Sequence, residues 1–262
     1  RQNSEKGKLK QYMRHLLEIT IDTQAFPDRS SYPFSLKNIQ ETEKIKFSSS
    51  VTFFVGENGT GKSTFLEAAA RCCGFHIWEN ETERRSSHNP HEKDLKHYLR
   101  PSWANGATTG AFFAGRIFQD FTRILEEWAA ADPGMLDFFG GTSLLTLSHG
   151  QSLMAYFKSR FYTKGLYFLD EPETALSPRT QLTLLKLIQA TGFEQEAQFI
   201  ISTHSPLLLA CPDAEIVDFN KAPLQKTSYE ATDHFQLYRN FLLYREESLR
   251  GSPNPGVESV GS

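Results

Sequence analysis

The chain has 262 residues, 39% hydrophobic and 23% charged, with a formal net charge of −3. This is the composition of an ordinary globular chain with length enough to bury a sizeable core in one or two domains. It excludes several classes: no run approaches the ~18 consecutive apolar residues of a membrane-spanning helix, no sustained heptads suggest coiled-coil arms, and the near-neutral balance does not support a non-specific nucleic-acid binder.

Three cysteines, two of them adjacent (Cys72 and Cys73) and one distant (Cys211), do not make a disulfide framework. They suit a reducing compartment. The first fifteen residues are polar and basic without an apolar segment, so no secretory leader is read there. Together these lead to the expectation of a cytoplasmic protein. Residues 251–262 (GSPNPGVESVGS) read as a flexible tail. The rest, 1–250, is expected to be one domain.

In chain order, 15–22 (HLLEITID) reads as a strand, and 28–34 (DRSSYPF) as a loop carrying Tyr32 and Phe34. Residues 44–47 and 51–55 (VTFFV) read as strands, and a helix is predicted from Lys62. Residues 77–110 are polar and turn-rich and read as an irregular insertion. Residues 116–131 and 151–162 are helix-like. The wholly apolar run 166–169 (LYFL) fits a strand buried on both faces. A helix is predicted over 178–191, with Ser177 as its cap and Pro178 at the first helical position. Residues 198–202 and 215–219 complete the strands. Alternating strands and helices predict an α/β fold, a mixed sheet flanked by helices.

Residues 56–63 read GENGTGKS and fit G-x-x-x-x-G-K-[ST] between an apolar strand and a helix. The chemistry explains these residue types. Gly59 and Gly61 let the backbone turn and aim the N–H groups of Asn58–Thr64 at phosphate oxygens. The helix that follows presents its positive end to the same phosphates. Lys62 can reach the β- and γ-phosphates of ATP, and the Ser63 hydroxyl can ligate Mg²⁺. Downstream, the strand 166–169 ends in Asp170 and Glu171. Asp170 is expected to hold the Mg²⁺, and Glu171 to orient or deprotonate the attacking water. Tyr32 or Phe34 could stack on adenine, with core packing the competing reading.

Residues 147–152 read LSHGQS, 174–178 read TALSP and 202–206 read STHSP. With the phosphate loop and LYFLDE, in this order, the chain resembles the ABC-type ATPase superfamily of the SMC/RecF-like kind. The wording is closest to small stand-alone bacterial AAA family ATPases. The resemblance implies a P-loop NTPase with an ABC-type head. It implies that Ser148, His149, Gly150 and Gln151 are the signature segment, which faces the γ-phosphate held by another subunit, His149 replacing the family's glycine. It implies a switch role for His204 and a Mg²⁺-ligating Gln, for which Gln119 is the nearby candidate. It also implies a homodimer with ATP between two chains. Two other readings follow: an ATP-gated regulatory subunit acting on a protein effector, such as a DNA-repair, nuclease or toxin assembly, and the nucleotide-binding subunit of a membrane transporter.

Overall fold

The chain is seen in a computed structural model that describes residues 14–77, 91, 93–115, 118, 122, 125, 127–129, 134, 137, 143, 146–194 and 196–245. Three strands, β1 (Leu16–Ile21), β2 (Lys44–Lys46) and β4 (Leu99–Trp103), form an antiparallel sheet in the order β2-β1-β4. The larger sheet contains β3 (Val51–Val55), β5 (Gly110–Ala114), β6 (Gly165–Asp170), β7 (Ala197–Ser202), β8 (Glu215–Asp218) and β9 (Gln225–Thr227). Its order is β5-β6-β7-β3-β8-β9, parallel throughout except for the final β8–β9 pair.

Every residue of β3, β6 and β7 is buried, as a parallel sheet covered on both faces requires. The side chains divide with period two. Val51, Phe53, Val55, Tyr167, Leu169, Phe199 and Ile201 join one core cluster, whereas Phe54, Leu166, Phe168 and Ile200 join another. Against the first cluster pack α3 (His149–Phe161) and α4 (Pro178–Glu194). Against the second pack α2 (Lys62–Cys72) and the small sheet. The first face is aromatic: Phe157 stacks on Phe161 at 5.0 Å and meets Phe113 edge-on at 4.8 Å. Such pairs add about 0.5–1.5 kcal/mol each beyond their burial.

Gly110 is fixed by a close approach. A Cβ there would overlap the Leu166 carbonyl oxygen on β6, so only glycine lets the two strands pair at this point.

The segment 77–110 is not wholly irregular. Its second half supplies β4, which pairs with β1, and begins β5. β4 is an edge strand of the small sheet, which is why Pro101 is tolerated opposite Ile19. Toward the C-terminus, the short helix α5 (Pro206–Leu209), β9 and α6 (Asp233–Leu243) were not predicted. Most of the helix predicted over 116–131, and the tail 251–262, lie outside the described residues.

A buried side chain on the large sheet also bonds the small one. Gln198 on β7 is fully buried; its Oε1 accepts from the His15 and Leu16 N–H groups, both at 2.8 Å. Its Nε2 donates to the Leu16 carbonyl at 2.9 Å.

Candidate nucleotide site

β3 ends at Val55 and α2 begins at Lys62, so Gly56–Gly61 form the loop between them. Gly61 is the N-cap of α2 and has φ +91, in the left-handed region that suits glycine. Two side chains from other parts of the chain hold the loop. Asn38, on α1 (Lys37–Gln40), donates from Nδ2 to the carbonyls of Thr60 at 2.9 Å and Phe219 at 2.7 Å. Asn220, just past β8, accepts at Oδ1 from the Glu57 N–H at 2.8 Å.

Lys62 is buried, and its ammonium donates to the Gly56 and Glu57 carbonyls at 2.7 and 2.9 Å. Burial pushes its pKa below the ordinary lysine value, against the pull of Glu171, Asp170, Glu57 and Glu173. The Ser63 hydroxyl donates to Asp170 Oδ1 at 2.8 Å. This brings the end of β6 onto the first turn of α2. A hydroxyl and a carboxylate are hard oxygen donors, the kind that hold Mg²⁺ together with phosphate oxygens and water. The donor set therefore fits the ion that the sequence implies.

Glu171 follows β6 at φ +48, an uncommon conformation for a side-chain-bearing residue, and its N–H donates to the Ser202 carbonyl at 2.9 Å. The turn aims its carboxylate toward His204, with Glu171 Oε1 3.8 Å from His204 Nε2. That is too long for a hydrogen bond. His204 Nε2 is buried and has no hydrogen-bond partner among the described residues. Burial, then Lys62 and His234, push the His204 imidazole below the ordinary histidine value, against Glu171 and Glu57.

The Glu173 carboxylate is buried. Oε1 accepts from the His204 backbone N–H at 2.7 Å, so Glu173 holds the His204 loop. Burial pushes this carboxyl above the ordinary range, against the His204 N–H. The neighbouring turn is held the same way: Ser205 donates to Gln181 Oε1 at 2.6 Å, and Gln181 Nε2 donates to the Leu176 carbonyl at 2.9 Å.

Ser148 is the N-cap of α3 in a full capping box. Its Oγ accepts from the Gln151 N–H at 3.4 Å, and its own N–H donates to Gln151 Oε1 at 2.9 Å. Ser148 and Gln151 are exposed, the His149 ring lies edge-on to Phe118, and Gly150 lies against Ala175 and Leu176. Replacing Ser148 by Ala removes half of this box. The expected cost is about 1 kcal/mol of stability, seen as a lower urea midpoint with unchanged slope.

One adenine candidate is corrected. Phe34 is fully buried against Phe26 (4.7 Å) and Tyr98 (5.2 Å), so its ring is part of the core and does not face a nucleotide. Tyr32 is exposed, with its hydroxyl bonded to Thr64 Oγ1 at the first turn of α2. Gln119 lies outside the described residues. Sequence reading missed Asn38, Asn220 and His234, whose Nε2 lies 3.1 Å from His204 Nδ1. All three act across long separations in the chain, so no spacing marks them.

Two family models match the sequence. One, described as "AAA domain, putative AbiEii toxin, Type IV TA system", covers residues 134–210. The other, described as "AAA domain", covers residues 33–110. The chain is 26% identical over 171 residues to the iron(3+)-hydroxamate import ATP-binding protein FhuC of Bacillus subtilis (strain 168). That match covers 59% of this chain and 62% of FhuC. Among solved structures, the SMC head domain from Thermotoga maritima aligns at TM-score 0.45 and 14% identity, over 82% of this chain and 99% of that one. CbiO1 from Clostridium perfringens, part of an ABC transporter complex, aligns at TM-score 0.47 and 16% identity, over 90% and 96%.

Proposed function

We propose that this chain is an ABC-type P-loop ATPase that hydrolyses the β–γ phosphoanhydride of ATP with Mg²⁺, each nucleotide enclosed between two copies of the chain; the AAA-domain matches over 33–110 and 134–210 support this reading. The observation that carries this reading is the meeting of Lys62, Ser63, Asp170, Glu171 and His204 at the ends of β3, β6 and β7. The loop N–H groups and Lys62 bind and orient the phosphates, with Asn58–Thr64 forming the cradle. Ser63 and Asp170 would hold Mg²⁺, which neutralises charge on the phosphates when bound. The Glu171 carboxylate takes a proton from the attacking water. The His204 Nε2–H, buried and unmatched among the described residues, donates to a γ-phosphate oxygen. Tyr32 flanks the base beside Thr64.

The dimer is supported by the placement of α2 and α3 in the two clusters on opposite faces of the large sheet. A nucleotide on one chain's phosphate loop then meets the Ser148–Gln151 segment of another chain, whose exposed hydroxyl and helix N-terminus suit an anion. Light scattering on the Glu171→Gln variant tests this: with ATP and Mg²⁺ its mass doubles, whereas a persistent monomer contradicts the dimer. On this reading the chain is a single head domain, and no helix of the described residues is long and apolar enough to cross a membrane.

A second reading is favoured by the toxin–antitoxin description of the family model over 134–210. In it the same ATP-bound dimer gates a protein effector, and turnover is slow. Turnover that rises when a co-purified effector is added back favours this reading, and turnover that does not change argues against it.

A further inference from the structure

We propose that His234, on α6, is a positioning residue that fixes the ring tautomer of His204 and so keeps a proton on His204 Nε2, aimed at the phosphate. The proposal rests on the reading of His204 as the γ-phosphate donor. Its physical basis is the contact between two imidazoles, His204 Nδ1 and His234 Nε2, at 3.1 Å.

A hydrogen bond between two neutral imidazoles needs one donor and one acceptor nitrogen. Both rings are held toward the neutral form, because burial and the nearby Lys62 push each below the ordinary histidine value. The direction of the bond follows from the far side of His204. Its Nε2 is buried, without a hydrogen-bond partner among the described residues, and faces the Glu171 carboxylate at 3.8 Å. A lone pair there opposes the carboxylate, whereas an N–H is attracted to it. The proton therefore sits on Nε2 of His204, Nδ1 accepts, and His234 Nε2–H donates. That is the one neutral tautomer in which His204 can donate to a phosphate oxygen.

His234 is held in place by the start of α6. Thr232 Oγ1 caps the helix, accepting from the Phe235 N–H at 3.2 Å. Asp233 accepts from Asn220 Nδ2 at 3.2 Å. Asn220 is the residue that also accepts from the Glu57 N–H of the phosphate loop. One set of contacts thus places the loop, α6 and the His204 ring together. The charged groups that face the pair are Lys62, Glu57 and Glu171 around His204, with Asp233 and Asp218 beside His234.

The test is nitrogen NMR of the histidine rings in the full chain without nucleotide, with His204 assigned by the signals lost in His204→Ala. The expected spectrum shows His204 protonated at Nε2 and accepting at Nδ1. His234→Phe removes the donor and converts His204 to a mixture of tautomers. His234→Gln, whose amide donates from nearly the same point, keeps the Nε2–H form. In turnover assays His234→Phe lowers kcat on the order of 10-fold, the low end for loss of an orienting outer partner, without raising KM for ATP, and His234→Gln restores most of it. A wild-type His204 protonated at Nδ1, or a tautomer and kcat unmoved in His234→Phe, overturns the proposal. If His204→Ala itself turns over normally, the phosphate role of His204 fails, while the tautomer assignment is still decided by the spectrum.

Discussion

Glu171→Gln is expected to lower ATP turnover by about 10²–10⁴-fold, the range for loss of a positioned proton acceptor, while nucleotide binding survives. Gln has nearly the size and shape of Glu, and the Glu171 N–H bond to the Ser202 carbonyl is a backbone contact that the substitution leaves alone. What disappears is the basic oxygen beside His204 Nε2. Lys62→Ala should fail earlier. Lys62 is buried and bonded to two carbonyls of its own loop, so its removal takes away both the cation that meets the phosphates and the strut that shapes the loop. The two variants therefore separate in a pair of measurements. Fluorescent-nucleotide titration shows binding retained in Glu171→Gln and lost in Lys62→Ala, and phosphate release is lost in both. Equal turnover in wild type and both variants would show that hydrolysis occurs elsewhere.

Gln198→Leu is expected to destabilise the chain by about 3–9 kcal/mol, because three buried polar groups are left unpaired at about 1–3 kcal/mol each. Leu has nearly the volume of Gln, so packing is largely kept. The loss falls on the His15 and Leu16 N–H groups and the Leu16 carbonyl, which Gln198 bonds from β7. For a domain of this size each kcal/mol shifts Tm by about 2–4 °C, so a fall on the order of 10 °C is expected by calorimetry. Hydrogen exchange should show the small sheet opening first. A Tm within a degree or two of wild type would mean that the two sheets are held together by packing alone.

Gln198 also marks where sequence reading stops. Residues 198–202 read as a strand, and they lie in β7, but nothing in QFIIS distinguishes a solvated Gln from one that bridges two sheets. The phosphate loop was legible because its chemistry is local: strand, glycines, lysine and helix are contiguous, and the predicted limits of β3 and the start of α2 coincide with those observed. The cap at Ser177 was legible for the same reason, bonding within its own first turn. β4 escaped because it is an edge strand with Pro101 at its centre and exposed Arg100 and Ser102 on either side, a pattern that reads as a turn. Phe34 was ambiguous between a nucleotide platform and the core, and burial decided it. Asn38 and Asn220 hold the phosphate loop from opposite parts of the chain, and His234 reaches His204 from α6, a helix with no buried residue. Such contacts exist only after the sheet has brought the strand ends together.

The central claim, that ATP is hydrolysed at a site shared by two chains, is tested most directly by mixing two inactive variants. Lys62→Ala lacks the phosphate-loop cation but keeps the Ser148 segment; Ser148→Arg blocks that segment but keeps Lys62. Each alone is expected to turn over at background. An equimolar mixture should recover a substantial fraction of wild-type phosphate release, because a mixed dimer rebuilds one complete site. A mixture as inactive as its components, with both variants folded and the wild type active, would contradict a site built from two chains.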